Sequence, residues 1–478
     1  MSLGSKYPEF VFKTKPWEHQ LKALEYLYPR DRGALYTVPG SGKTKVMIDL
    51  IVNRGWKRVL VVAPKVPCKD VWVDEIQMHS DIPKENIVLL TELDGKQKAS
   101  LLKTFKKPAA DEGTTIFICN YESVWMEPVR RVWFHKKLAL DCVICDESHK
   151  IKSPGGKASG FLAQLGKLVQ CCYAMTGTPL AERPEDVYAQ YRFIDRSIFG
   201  TNYDAFQAQY VNIDLKASAG KNYIVKDKKQ PYKNLDELHE KMFSCAFSMP
   251  STIKLPDTNS MTIEVPMPSK LSRLYLELRE EGAAELGEGF LIIDNILAQS
   301  VRLQQVTSGY LALEDDEGNK WLERVSTYRR TALLKYLRGL PESEPVVIFA
   351  KFKKDLLSVR KVAERFGYGY SEVSGRENTL SDWKAGKTRF LGVQYGSGSE
   401  GINLTRSHIC IFYSLEQSLA KYEQAIKRIH RPGQKKPCLY VSFVATSTGV
   451  DTIDQKICRS LQQKKNLVDL IMEGKENL

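Results

Sequence analysis

The sequence predicts an α/β protein built as two parallel-sheet lobes in tandem, with a helical insertion between them and a helical tail. Three observations carry that prediction. Short apolar, β-branched runs alternate with helical stretches in the first part of the chain; the rhythm breaks between 196 and 340; and it returns from 341 to 450. The length of 478 residues agrees, because a single hydrophobic core rarely organises so long a chain and two or three domains are expected.

In the first lobe, placed at 1–195, the candidate strands are 33–38, 59–63, 87–90, 115–119, 142–145 and 172–176. They are apolar nearly throughout, as strands covered on both faces must be. Residues 196–340 are charged and irregular, with helices expected over 235–247, 270–285 and 289–309. The second lobe, 341–450, offers strands at 346–350, 371–373, 390–394, 409–413 and 439–444, with helices over 354–366 and 419–429. Residues 451–478 read as a helical tail. No repeat at a solenoid period and no low-complexity tract interrupts this plan.

Composition narrows the function classes. Lys plus Arg outnumber Asp plus Glu by 70 to 57, a net charge of +13 that favours a polyanionic partner. No window approaches the ~18 uninterrupted apolar residues of a membrane span, and the N-terminus lacks an apolar signal core. A cytoplasmic setting is expected, nucleoid-associated or in a host cytoplasm if the source is viral, with no membrane partner. The ten cysteines are scattered and mostly inside apolar runs, which suits small buried hydrophobes. Cys142 and Cys145 have CxxC spacing but no second pair or histidine at zinc spacing.

The chemistry begins at Val38-Pro39-Gly40-Ser41-Gly42-Lys43-Thr44, between a predicted strand and a predicted helix. Glycines there let backbone N–H groups approach phosphates, and the helix N-terminus adds positive potential. Lys43 is placed to reach the β and γ oxygens and Thr44 to offer its hydroxyl to Mg²⁺, and Lys45 is read with them as binding the nucleotide. Thr37 stands where GxxxxGK[ST] has its first glycine, while the GSGKT core is kept. About a hundred residues on, the apolar run Val143-Ile144-Cys145 ends in Asp146-Glu147. An Asp at a strand end suits a metal, and the adjacent Glu suits a water to be oriented or deprotonated.

The pair GSGKT and Asp146-Glu147-Ser148-His149 resembles superfamily 2 helicases, and further matches lie in family order. They are Gln20; Ala63-Pro64-Lys65; Asn120-Tyr121-Glu122; Thr176-Gly177-Thr178-Pro179; Val347-Ile348-Phe349; GSEGINL at 398–404; and QAIKRIHRPGQ at 424–434. The last two resemble the Swi/Snf-type branch of DNA-dependent ATPases, and the matches run from about residue 17 to 434. The resemblance implies two RecA-like lobes that bind ATP and Mg²⁺. It implies adenine recognition by Gln20, a nucleotide-side role for Gln424, and arginine fingers at Arg428 and Arg431, read here as neighbours on one helical face. By family position Lys65, Tyr121, Ser123, Lys351, Gly401 and Asn403 are nucleic-acid contacts, with Thr176 and Thr178 linking the two sites.

The expected partner is DNA, duplex favoured over single strands and both ahead of RNA, with the motor acting as a monomer. One departure is local: the family commonly has an Ala-Gly-Gly run before Glu-Gly-Ile-Asn-Leu, and here the text is Tyr395-Gly396-Ser397-Gly398-Ser399-Glu400, which keeps small residues. The size suits a compact phage or bacterial motor. Three alternatives stay open: a strand-separating helicase on DNA or RNA, a nucleic-acid-binding scaffold without turnover, and a P-loop enzyme acting on small molecules. No hairpin of the Asn-Gly or Asp-Gly type marks a strand-splitting wedge in the second lobe, although 196–340 has room for one.

Overall fold

The structure, a computed structural model, describes residues 9–133, 138–218, 221–227, 230–249, 254–280, 283–286, 289–292, 296–315, 317, 319–398 and 402–473. The chain divides into two compact units, Met1–Lys254 with Asn466–Leu478, and Leu255–Lys465.

The main sheet of the first unit has these strands: β1 Arg32–Leu35, β2 Arg58–Ala63, β3 Ile87–Leu89, β4 Thr115–Asn120, β5 Cys142–Asp146, β6 Cys171–Met175 and β7 Ala246–Phe247. They form one sheet in the order β3-β4-β2-β5-β6-β1-β7, with every pairing parallel. Residues of β2, β4, β5 and β6 are all buried, and alternate side chains feed a core on each face. Leu60, Val62 and Cys145 enter one core; Val59, Val61 and Cys142 enter the other. The two CxxC thiols therefore face opposite sides of the sheet, which strand periodicity dictates for residues three apart.

The register decides what meets at the sheet's edge. Ala63 aligns with Asn120, Asp146 with Met175, and Met175 with Leu35. Because all these strands are parallel, the segments that follow them emerge at one edge, where open α/β sheets bind ligands.

The second unit holds β8 Thr258–Pro266, β9 Val346–Ala350, β10 Tyr370–Val373, β11 Phe390–Gln394, β12 Ile409–Phe412 and β13 Cys438–Thr446. Their order is β8-β13-β12-β9-β11-β10, again entirely parallel. Val346, Ile348, Phe390, Ile411 and Phe443 pack beneath Leu333 and Leu337 of the helix Tyr328–Arg338. That helix also buries Arg329, which is ion-paired with Asp454 near the start of the terminal helix Ile453–Glu473.

The expected helical insertion at 196–340 is a mixture. The compact units meet at 254/255, inside it, and it carries strands the reading did not place. β7 extends the first sheet and β8 the second. Ile213–Ser218 and Lys221–Lys226 form an antiparallel pair in the first unit. In the second, Ala283–Leu286, Gly289–Ile292, Tyr310–Glu314 and Lys320–Arg324 make a four-stranded antiparallel sheet. The physical reason is visible in β8, whose residues are mostly exposed at a sheet edge and so lack the apolar signature of a covered strand.

Candidate nucleotide site

The loop 36–42 leaves β1 and turns into the helix Lys43–Arg54. Gly40 and Gly42 take φ of 83° and 75°, a left-handed conformation that disfavours side chains. A Cβ on Gly42 would lie 2.1 Å from Nε2 of Gln20. Gln20 is buried, not a surface residue of its helix Glu18–Leu27; its amide donates to the Ser41 carbonyl at 3.2 Å and accepts from the Trp17 N–H at 2.8 Å. His19 Nε2 lies 2.8 Å from the same Ser41 carbonyl. The Lys43 ammonium donates to the carbonyls of Thr37 and Val38 at 2.9 and 3.3 Å, and the Thr37 and Ser41 hydroxyls are 2.8 Å apart. Thr44, half-buried, occupies the first turn of the helix.

Lys45 stands apart from this cluster. Its ammonium is buried against Asp49 at 2.7 Å, one turn along the helix. At about 100° per residue, Lys45 points some 200° away from Lys43, so the phosphate-side role read for it is corrected.

Asp146 ends β5 and is buried. Its Oδ2 accepts from the indole N–H of Trp72 at 2.9 Å, and its carbonyl accepts from the Tyr121 hydroxyl at 2.7 Å. Burial first, then the charge of Glu147, holds the Asp146 carboxyl well above the usual carboxylate range, while Trp72 and the Lys43 ammonium pull it down. Thr44 and Asp146 offer oxygen ligands only, one hydroxyl and one carboxylate. That donor set suits Mg²⁺ completing its shell with phosphates and water, and a cation there would relieve the buried negative charge.

Glu147 has a left-handed backbone, φ 50°, uncommon for a residue with a side chain. Its Oε2 accepts from the Thr176 hydroxyl at 3.1 Å and lies 3.3 Å from His149 Nδ1. His149 Nδ1 is 3.0 Å from Thr176 Oγ1 and 3.4 Å from Thr178 Oγ1, and the Thr178 N–H donates to Thr176 Oγ1 at 3.1 Å. The intervening Gly177 presses on the phosphate loop: a Cβ there would lie 2.6 Å from Cδ of Pro39. Thr176 and Thr178 thus join the acidic pair to the turn after β6.

Of the residues read as nucleic-acid contacts in this unit, Lys65 is exposed just beyond β2 and Ser123 is half-buried, its hydroxyl donating to Asn120 Oδ1 at 2.5 Å. Tyr121 is 4 % exposed and bonded to the Asp146 carbonyl. A ring buried under the acidic turn offers no face to a nucleic acid, so its place is beneath the metal-side acid. Two residues of this site carried no role in the sequence reading, Trp72 and His149. The histidine is signalled by its adjacency to the acidic pair; the tryptophan comes from 74 residues upstream of Asp146 and only the fold brings it in.

In the second unit, Lys351 follows β9 with its ammonium bonded to Gln304 Oε1 and its N–H to Ser414 Oγ at 2.8 Å. Burial pulls the Lys351 ammonium below its ordinary value. Asn403 is exposed and its side chain accepts from the Thr405 N–H at 3.0 Å; Gly401 lies outside the described residues. Gln424 and Arg428 are half-buried on the helix Leu419–Ile429. Arg431 is not on that helix. His430 leaves helical geometry at φ −86°, ψ 84°, and Pro432 disfavours helix for the residue before it. The shared helical face read for Arg428 and Arg431 is therefore corrected: Arg431 Nη1 instead donates to the Ile402 carbonyl at 3.4 Å. Gln434, buried, donates to the Ser407 carbonyl at 2.8 Å and accepts from the N–H groups of Lys435 and Lys436, fixing the turn that follows.

Two parallel-sheet units, one with a phosphate loop beside an acidic pair of which Asp146 is buried, define the class: a helicase-type enzyme that hydrolyses ATP. Residues 19–309 match the SNF2-related domain, and residues 329–433 match the helicase conserved C-terminal domain. The chain belongs to the SNF2-related family and is an ATP-dependent motor of the helicase type. It is 24 % identical to protein p41 of Acyrthosiphon pisum secondary endosymbiont phage 1, over 97 % of this chain and 99 % of that one. It is 20 % identical to the uncharacterized ATP-dependent helicase YqhH of Bacillus subtilis, over 98 % of this chain and 82 % of that one. Among solved structures it is similar to the Sulfolobus solfataricus SWI2/SNF2 ATPase core in complex with dsDNA, with TM-score 0.42 and 17 % identity, covering 97 % of this chain and 94 % of that one. No helix among the described residues is long and apolar enough to cross a membrane.

Proposed function

We propose that this protein couples Mg²⁺-dependent ATP hydrolysis to translocation along duplex DNA. The observation that carries the reading is the row Glu147, Thr176, His149 and Thr178, a continuous set of short polar contacts from the acidic pair to the turn after β6. A group that orients water is thereby tied to a segment at the edge where Lys65 and Ser123 also emerge. A change in what that edge grips alters the water-orienting carboxylate, and the reverse holds by linkage.

Lys43 and the glycine-rich loop hold the phosphates, Gln20 reads the adenine edge, and Glu147 orients the attacking water. Thr44 and Asp146 would hold Mg²⁺, which would supply neutralisation of charge developing on the phosphates. By family position Arg428, Arg431 and Gln424 are assigned to the turnover of ATP. Differential contacts of ATP and ADP then shift the populations of two states, which is what moves a motor along its track. The net charge of +13 supports a polyanionic track.

Steady-state ATPase activity measured in parallel with no nucleic acid, single-stranded DNA, duplex DNA and RNA tests the reading. Duplex DNA is expected to stimulate at least as well as single strands and more than RNA. Equal rates in all four would contradict it. A second reading, strand separation, is favoured by the antiparallel sheet of residues 283–324, since unwinding needs a rigid element that splits base pairs.

A further inference from the structure

We propose that Trp72 is a positioning residue for the cation-holding carboxylate of Asp146, an inference that rests on the role given to Asp146 in the preceding reading. Trp72 is wholly buried at the end of a five-residue π-helical turn, Cys68–Trp72. The turn lies between the short helix Lys65–Pro67 and the helix Val73–His79, and π turns of this kind are frequent at functional sites. An indole has a single donor and no acceptor, and a buried one usually bonds a partner. Here that donor is spent on a carboxylate oxygen, 2.9 Å away, and not on a backbone carbonyl.

The consequence is geometric. The Tyr121 hydroxyl, at 2.7 Å, fixes the Asp146 backbone through its carbonyl, which leaves the side chain to be set separately. The indole sets it: a rigid, buried ring donating to Oδ2 determines how the carboxylate is rotated about its own axis. A metal-bound carboxylate held by an outer hydrogen bond keeps its direction, and removing such a bond weakens metal affinity by roughly 10- to 100-fold. The turn is itself pinned, since Cys68 Sγ lies 3.6 Å from the Ala63 carbonyl at the end of β2. Trp72 also packs among Ile76, Val61 and Ile144, so a purely space-filling role is the competing explanation.

The two explanations separate if the N–H is removed without changing the ring's shape. Site-specific replacement of Trp72 by β-(3-benzothienyl)alanine substitutes sulfur for the indole nitrogen, and Trp72→Phe gives a second, genetically simple variant. Mn²⁺ binding to the full-length protein with saturating ADP is read by electron paramagnetic resonance of the free ion, alongside thermal melting. The benzothienyl protein is expected to melt like the wild type and to bind Mn²⁺ about tenfold more weakly, with Trp72→Phe showing at least that loss. Wild-type Mn²⁺ affinity in a benzothienyl protein of unchanged melting temperature would overturn the proposal and leave Trp72 a packing residue. Asp146→Ala serves as the control for the underlying reading. Where it binds Mn²⁺ as tightly as the wild type, the metal role of Asp146 fails; where it binds weakly and the benzothienyl protein does not, only the role of Trp72 fails.

Discussion

Glu147 combines a left-handed backbone with a carboxylate held by Thr176 beside His149, and strain of that kind persists where the surroundings impose it. Glu147→Gln keeps the shape and removes the base, so turnover should fall by at least about 10²-fold while ATP and DNA binding persist, as rapid-quench and filter-binding assays would show. Wild-type turnover in this variant would remove Glu147 from its role. Residue-level legibility follows chemistry that is local in the chain. The placing of Lys43 and Thr44 at a helix start and of Asp146 and Glu147 at a strand end was readable because their motifs are contiguous and bounded by apolar runs. Lys45 was misplaced because contiguity with the loop says nothing of which helical face a residue takes. Tyr121 was misplaced because its hydroxyl partner lies on another strand. Trp72 had no signal at all, since its meaning depends on a carboxylate 74 positions away.

At the scale of elements, the phosphate loop owes its shape to Gly42, whose left-handed φ strains any side chain and whose Cβ would push against the Gln20 amide. Gly42→Ala combines about 1 kcal/mol of backbone strain with displacement of the Gln20 amide. KM for ATP should rise at least about tenfold in steady-state assays, and a KM within twofold of wild type would show that the loop tolerates the change. The helix Leu419–Ile429 was legible to its boundaries, yet the sequence reading ran it on to Arg431. The turn at His430 gives Arg428 and Arg431 separate directions, so their contributions are separable. Arg431→Ala should lower turnover at saturating DNA by about 10³-fold with little loss of ATP affinity, by analogy with other phosphoryl-transfer sites. Weaker DNA binding with unchanged turnover would move Arg431 to the nucleic-acid side. Buried strands such as β9 and β11 were read to the residue because both faces are covered. β7, two residues long, and the exposed β8 escaped because neither presents an apolar run.

For the whole molecule, the alternation of apolar runs and helices specified both parallel sheets, while the intervening antiparallel strands were not placed, Gly289–Ile292 falling inside a stretch read as helix. Family membership fixes an ATP-dependent motor, and the track is the open question. A motor gripping about five phosphates should bind duplex DNA with log K falling against log salt at a slope of roughly −4 to −5; a slope near zero in fluorescence-anisotropy titrations would mean that the basic surplus is merely solvated. The central claim is that ATP hydrolysis drives movement along intact duplex DNA, and third-strand displacement reads such movement without requiring base-pair separation. With ATP, this protein should release a triplex-forming oligonucleotide from its duplex while separating a forked duplex poorly. Efficient ATP-dependent separation of the fork, with the third strand left in place, would contradict the account.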